Sequence, residues 1–206
     1  MQAITDLIMY FHKGGLVMWP LLACSVTVIA IAIERFIYYK SVDSGAAFAA
    51  RYCTAVRSGD FAVATELARK GSGQCAQMLA DAAAIDGGKA EKSAFLESRA
   101  GIFMATLRDK LDYLGIIVTM SPLLGLLGTI VGMIGAFSIF NVEAGAPMAI
   151  TGGIGEALIA TATGLCVAIL SLCAHSYFAH RMDNMITDME QCFSALLESE
   201  TRRGRS

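Results

Sequence analysis

Long charge-free runs set the pattern of this chain. Leu16 to Ile33 is an 18-residue stretch without a charge, and Tyr113 to Val142 is a 30-residue stretch without one. Ala157 to Tyr177 is a third, with His175 near its end. A bilayer core takes roughly 20 apolar residues as helix. Three runs therefore predict three transmembrane helices. The rival is a soluble protein with three long core helices, but a helix apolar all round belongs in a membrane or in the core of a large protein. The first run does not read as a cleaved signal peptide. Lys13 is the one cation before it, Asp6 precedes that, and the run ends in Glu34-Arg35 rather than a small-residue cleavage site. It reads as a retained anchor.

Between and beyond the runs the periodicity is helical. Ile4, Leu7, Ile8 and Phe11 suit an interfacial helix over 1–13, broken by Gly14-Gly15. Trp19 and the cluster Phe36, Tyr38 and Tyr39 stand where aromatic belts stand. Asp43 or Ser44 is expected to cap a helix running to Ser58, and Asp60 a second ending at Lys70-Gly71. A third is expected from Gln74 to Ile85. A fourth starts near Lys89. Leu96, Phe103, Leu107, Leu111 and Leu114 carry it into the second run, giving one helix over 90–140. Such a helix is roughly 75 Å long, so half of it must lie outside the bilayer. The third run continues in the same way, because Met182, Met185, Ile186, Met189, Phe193, Leu196 and Leu197 keep i, i+3, i+4 spacing. Their partner is the 90–112 helix, neighbouring copies, or both.

The predicted class is an all-α integral membrane protein with three transmembrane helices, spans two and three extending into a cytoplasmic helical bundle. The expected division is an interfacial helix at 1–13, spans at 14–39, 113–141 and 148–178, a cytoplasmic region at 40–112, a turn at 142–147 and a C-terminal helix and tail at 179–206.

Composition agrees. The 206 residues are 55% hydrophobic and 17% charged, against about a quarter charged in soluble domains. Net charge is −2, and nucleic acid is not an expected partner. Of 16 Lys and Arg, 11 lie between Arg35 and Lys110, and Arg181, Arg202, Arg203 and Arg205 follow the third run. The link 141–147 has none. Cytoplasmic loops carry the Lys/Arg excess, which puts the 35–112 segment and the C-terminus in the cytoplasm and the N-terminus outside. Six cysteines occur without a CxxC pair, so neither disulfides nor a zinc site is expected. His175 and His180 lack an acidic partner nearby in sequence, and no metal or cofactor is expected. GxSxG, P-loop and HExxH patterns are absent from the sequence, which argues against an enzyme of those kinds.

Candidate chemistry concentrates in small residues. Ser121, Gly125, Gly128, Gly132 and Gly135 step by four and three along the second run. In lipid, helices associate by close packing and hydrogen bonds, so such a stripe marks a helix contact. Gly152, Gly153, Glu156, Ala160, Thr163, Gly164 and Val167 share a broad face of the third run. Two such faces in a three-span chain predict a homo-oligomer. Glu156 is an acid within this face, about two and a half turns into its helix, with no Lys or Arg in the spans to meet it. An intramembrane acid by default handles protons or cations; the alternative is a protonated Glu in a structural hydrogen bond. Thr129 and Thr161 are weaker candidates for a polar pore lining. Thr161 lies about 140° around the helix from Glu156, so the two are expected to face different neighbours.

SPLLGLLGTIVGMIGAF (121–137) and GGIGEALIATATGLCVAI (152–169) resemble the second- and third-span signatures of the MotA/TolQ/ExbB proton-channel family. The first span, 14–36, and GDFAVATELAR (59–69) are similar to it too. The short chain and compact N-terminus look most like ExbB. The resemblance implies a homopentamer whose second and third spans enclose a pore, threaded by a dimer of a single-span ExbD-like protein that carries the titrating aspartate. It implies that Thr129 and Thr161 face that aspartate, that Glu156 is the third-span glutamate of the proton path, and that a TonB-like protein transmits the work from the inner membrane. One departure stands out: Leu170 follows Ala168-Ile169 where the family usually has proline. A TolQ-like role in envelope maintenance and a non-conducting scaffold are the alternatives.

Overall fold

The computed structural model describes residues 14–142 and 147–203, with side chains over 14–137 and 151–201. The interfacial helix expected at 1–13 and the centre of the 142–147 turn lie outside the described residues. Among those described are six helices: α1 (Met18–Val42), α2 (Ala46–Arg57), α3 (Phe61–Lys70), α4 (Gln74–Ala83), α5 (Lys89–Val142) and α6 (Pro147–Arg203). Three helices are long and apolar enough to cross a membrane. The protein is an all-helical, multi-pass membrane protein.

The two long helices have 54 and 57 residues, each about 80 Å at 1.5 Å per residue. Pro122 sits inside α5 without ending it. Its missing N–H leaves the Val118 carbonyl without a helical donor, a loss that transmembrane helices tolerate when neighbours re-satisfy the group.

The chain divides into two compact units. The first comprises the chain up to Ile33 and Leu111–Ser176. Its buried positions include Leu21, Leu114, Ser121, Ala157, Ala160 and Ser171, whereas Leu22, Val26, Ile29, Leu123, Ile134, Leu165 and Ile169 are exposed. Exposed leucines are costly in water and costless among lipid tails. The Ser171 hydroxyl donates to the Leu114 carbonyl at 2.9 Å, satisfying a polar group that is fully buried.

The second unit comprises Glu34–Lys110 and the described chain from Tyr177 onward. Asp60 caps α3 by accepting from the Val63 N–H at 3.3 Å. The cap expected from Asp43 or Ser44 is corrected. The residue before α2 is Gly45, at φ 80° and without a side-chain cap. Asp43 Oδ1 instead accepts the Gly45 N–H at 2.8 Å, and Ser44 Oγ accepts the Ala76 N–H of α4 at 3.3 Å. Asp43 thus shapes the turn before α2, and Ser44 satisfies an N–H in the first turn of α4.

Arg35 is buried: Nε meets Glu34 Oε2 at 2.7 Å, Nη1 donates to the Thr106 carbonyl at 3.0 Å, and the guanidinium lies 4.7 Å from the Tyr38 ring. The methionine stripe of α6 is buried at Met182, Met185, Met189, Phe193 and Leu196. Beside it, Cys192 Sγ lies 4.0 Å from Cys53 Sγ and 3.9 Å from the Ala49 carbonyl of α2. Burial pushes the Cys53 thiol up to about 11. Cys192 is pushed up further, by its hydrogen bond with Cys75 and then by burial. Lys92 and Glu200, 3.0 Å apart and largely buried, tie α5 to α6 in this unit.

Candidate functional site

The small residues of α5 and α6 form one antiparallel seam. A side-chain carbon on Gly125 would stand 3.1 Å from Thr161 Cα, and one on Gly128 2.5 Å from Ala160 Cβ. One on Gly132 would stand 3.1 Å from the Gly153 carbonyl, one on Gly153 2.6 Å from Ala136 Cβ, and one on Gly164 2.6 Å from the Ser121 carbonyl. The sequence dictates this approach, since any larger residue holds the backbones apart and forfeits the packing that joins helices in lipid. Gly152, expected in the same contact, meets nothing within 4 Å among the described residues.

Thr161 uses the closeness. Its hydroxyl donates to the Gly125 carbonyl across the seam at 3.0 Å. Such bonds in membranes average about 0.6 kcal/mol, so Thr161 fixes register more than it stabilises. The Thr129 hydroxyl donates to the Leu126 carbonyl of its own helix at 2.6 Å. Thr163, on the Glu156 face, likewise bonds back to Ile159 at 2.8 Å. Each hydroxyl has one proton, and at Thr129 and Thr161 it is engaged by backbone. What remains is acceptor capacity.

Glu156 takes a different neighbour. Its Oε1 occupies the space in which a side chain on Gly15 would lie, and Gly15 has φ 71°. The carboxylate is therefore seated at the turn that leads into α1, in a place only glycine leaves free. Thr161 meets α5 while Glu156 meets the head of α1. The structure thus brings Thr161 together with Gly125 and Ala160, and Glu156 with Gly15.

Sequence reasoning did not single out Gly15. The pair Gly14-Gly15 was visible as a break before the first span, and a left-handed glycine is one reason for such a pair. Ser171 and Leu114 were likewise unremarkable in sequence. Ser121 Oγ, fully buried beside Pro122, has no hydrogen-bond partner among the described residues. Among those residues, no three His, Cys, Asp or Glu side chains are arranged to hold a metal ion.

An all-helical multi-pass membrane protein with a glycine-alanine seam and an acid beside it is the class that fold and site define. Residues 68–191 match the model of the MotA/TolQ/ExbB proton channel family. The chain is 32% identical over 164 residues to biopolymer transport protein ExbB-like 3 of Synechocystis sp., covering 77% of this chain and 78% of that one. It is 26% identical over 185 residues to biopolymer transport protein exbB1 of Vibrio cholerae, covering 85% and 80%. The Tol-Pal system protein TolQ of Pseudomonas aeruginosa matches over 81 residues at 36% identity, covering 39% of this chain and 35% of that one. The chain belongs to the MotA/TolQ/ExbB proton channel family and is most like ExbB.

Proposed function

We propose that this chain is the ring subunit of a proton-motive-force-driven motor in a bacterial inner membrane. The ring is a homopentamer. The apolar parts of α5 and α6 enclose its pore, and a pair of single-span ExbD-like chains stands inside. The motor energises a TonB-like protein for outer-membrane transport. The basic segment around residues 35–110 lies in the cytoplasm with the C-terminal half of α6, and the N-terminus lies outside.

The observation that carries this reading is Glu156, the sole charged side chain between Pro147 and Arg181 apart from histidines. A charged group in hydrocarbon costs several kcal/mol, an expense without purpose in a mere scaffold. Glu156 belongs to the proton path, with Thr129 and Thr161 as polar lining. Because both hydroxyl protons are bonded to backbone carbonyls, toward a partner each threonine acts as an acceptor. An acceptor favours the protonated carboxyl of the inner chain over its carboxylate, which has no proton to give. The threonines thus make a station for the neutral form, suited to carrying a proton across a dry pore.

The test is energy-dependent uptake in cells that rely on this chain. Glu156→Ala and Thr161→Val are expected to lower uptake at least about tenfold, as loss of a group used in proton transfer does. Thr161→Ser is expected to stay near wild type, because it keeps the hydroxyl. If the variants assemble and neither uptake nor envelope constriction is affected, the channel role is wrong and the scaffold reading stands. If uptake is normal in every strain but envelope constriction fails, the TolQ branch is the right one. The longer matches to ExbB-named relatives support the ExbB branch.

A further inference from the structure

Within the second unit, a groove of about 210 Å³ lies between α1 and α6, lined by Phe36, Tyr39, Lys40, Tyr177, Phe178 and Arg181. Its floor is aromatic and rigid. Tyr39 and Phe178 are 1% and 4% exposed, and their rings meet edge to face with centroids 5.6 Å apart. Tyr39 is pinned further, since its hydroxyl donates to the Leu107 carbonyl at 3.0 Å. The rim is different. Phe36 and Tyr177 are about half exposed, at 54% and 49%. Lys40 is exposed and without an ion pair among the described residues. Arg181 is held by Asp43 at 3.0 Å, yet its side chain keeps 38% of its surface free.

The position of this groove along the chain is specific. α1 reaches Lys40 after the charge-free run that ends at Ile33, and α6 reaches Arg181 after the charge-free run that ends at Tyr177. Both walls pass from apolar to basic within two turns. That change of character marks the boundary between hydrocarbon and water, where tyrosine and lysine also gather. With Lys40 and Arg181 against Asp43, the rim carries an excess of one positive charge. An ordinary annular contact needs no rigid floor; this groove has one, with cations above it.

We infer that this groove is a binding site for the headgroup of an anionic phospholipid, with the phosphodiester between Lys40 and Arg181 and the glycerol and upper acyl carbons on Phe36 and Tyr177. A free phosphate would use the two cations but none of the aromatic rim. A zwitterionic lipid would bring its own cation toward Lys40. Basic pockets between transmembrane helices commonly take acidic headgroups for this reason. Arg181 is already oriented by Asp43, so Lys40, exposed and without an ion pair among the described residues, supplies most of the discrimination by charge.

The test is the lipid retained by the purified full-length protein. The protein is equilibrated in detergent micelles holding equal phosphatidylglycerol and phosphatidylcholine, washed, and its lipids extracted and counted. Phosphatidylglycerol is expected to be retained in preference. Lys40→Gln, at an exposed position, is expected to reduce its retention about fivefold, the effect of roughly one basic side chain at an anionic surface. Phosphatidylcholine should not change, and Lys70→Gln, a lysine outside the groove, should have no effect. Equal retention of the two lipids, or an unchanged Lys40→Gln, overturns the proposal. So does suppression of phosphatidylglycerol retention by millimolar glycerol 3-phosphate, which would make the site one for a soluble phosphate.

Discussion

The Glu156 carboxylate has its place because Gly15 is a glycine. A left-handed φ of 71° and a carboxylate in the side-chain space both exclude larger residues. Gly15→Ala therefore combines backbone strain with displacement of the acid. Gly45 separates the two effects: it has φ 80° but meets nothing within 4 Å. Both Ala variants are expected to destabilise the protein by about 1–2 kcal/mol, read as a lower melting temperature. Only Gly15→Ala is expected to lower energy-dependent uptake. Equal uptake in the two variants would show that Glu156 does not need this seat. The opposite facing of Glu156 and Thr161 was legible in the sequence, because five residues turn a helix by about 140°. Their destinations were not. Thr161 bonds to a carbonyl, and a backbone acceptor on another helix leaves no trace in residue identity.

Helix continuity was the most legible feature of the elements. Apolar residues at helical spacing, Leu96, Phe103, Leu107, Leu111 and Leu114, carry α5 across the change from charged to apolar sequence, and the structure has one helix there. Caps were legible where the side chain serves its own helix, as at Asp60, and illegible where it serves a turn or another element, as at Asp43 and Ser44. The thiols were illegible for a related reason. Cys53, Cys75 and Cys192 are far apart in sequence and meet only when α6 packs on α2 and α4. Their burial has a consequence for pH. Cys53 has an ordinary value of 9.0 and a folded value of about 11. The thiol is neutral in both states below 9.0, so no stability is lost there. Between 9.0 and about 11 the unfolded chain releases this proton and the folded chain keeps it, so stability falls as pH rises through that window. Thermal melts should show the decline above pH 9, and Cys53→Ala should make it shallower, the remaining slope belonging to Cys192. A Cys53→Ala profile parallel to wild type would place the loss elsewhere.

At the scale of the whole molecule, the charge-free runs already specified a three-span membrane protein, and the family match confirms the kind. The seam between α5 and α6 is complete within one chain, yet Leu123, Ile130, Ile134, Leu158 and Leu165 still face outward. No sequence pattern distinguishes lipid from another subunit as the neighbour of such residues, because lipid tails and leucine are equally apolar. Gly152, which meets nothing within 4 Å among the described residues, is where a neighbouring subunit or an inner chain has room to approach closely. The central claim is therefore a claim about stoichiometry: a ring of this chain around a pair of single-span partners. Native mass spectrometry of the complex purified with its partner measures that directly. The account predicts a mass of five copies of this chain with two of the partner, whereas a lone dimer of this chain would contradict it.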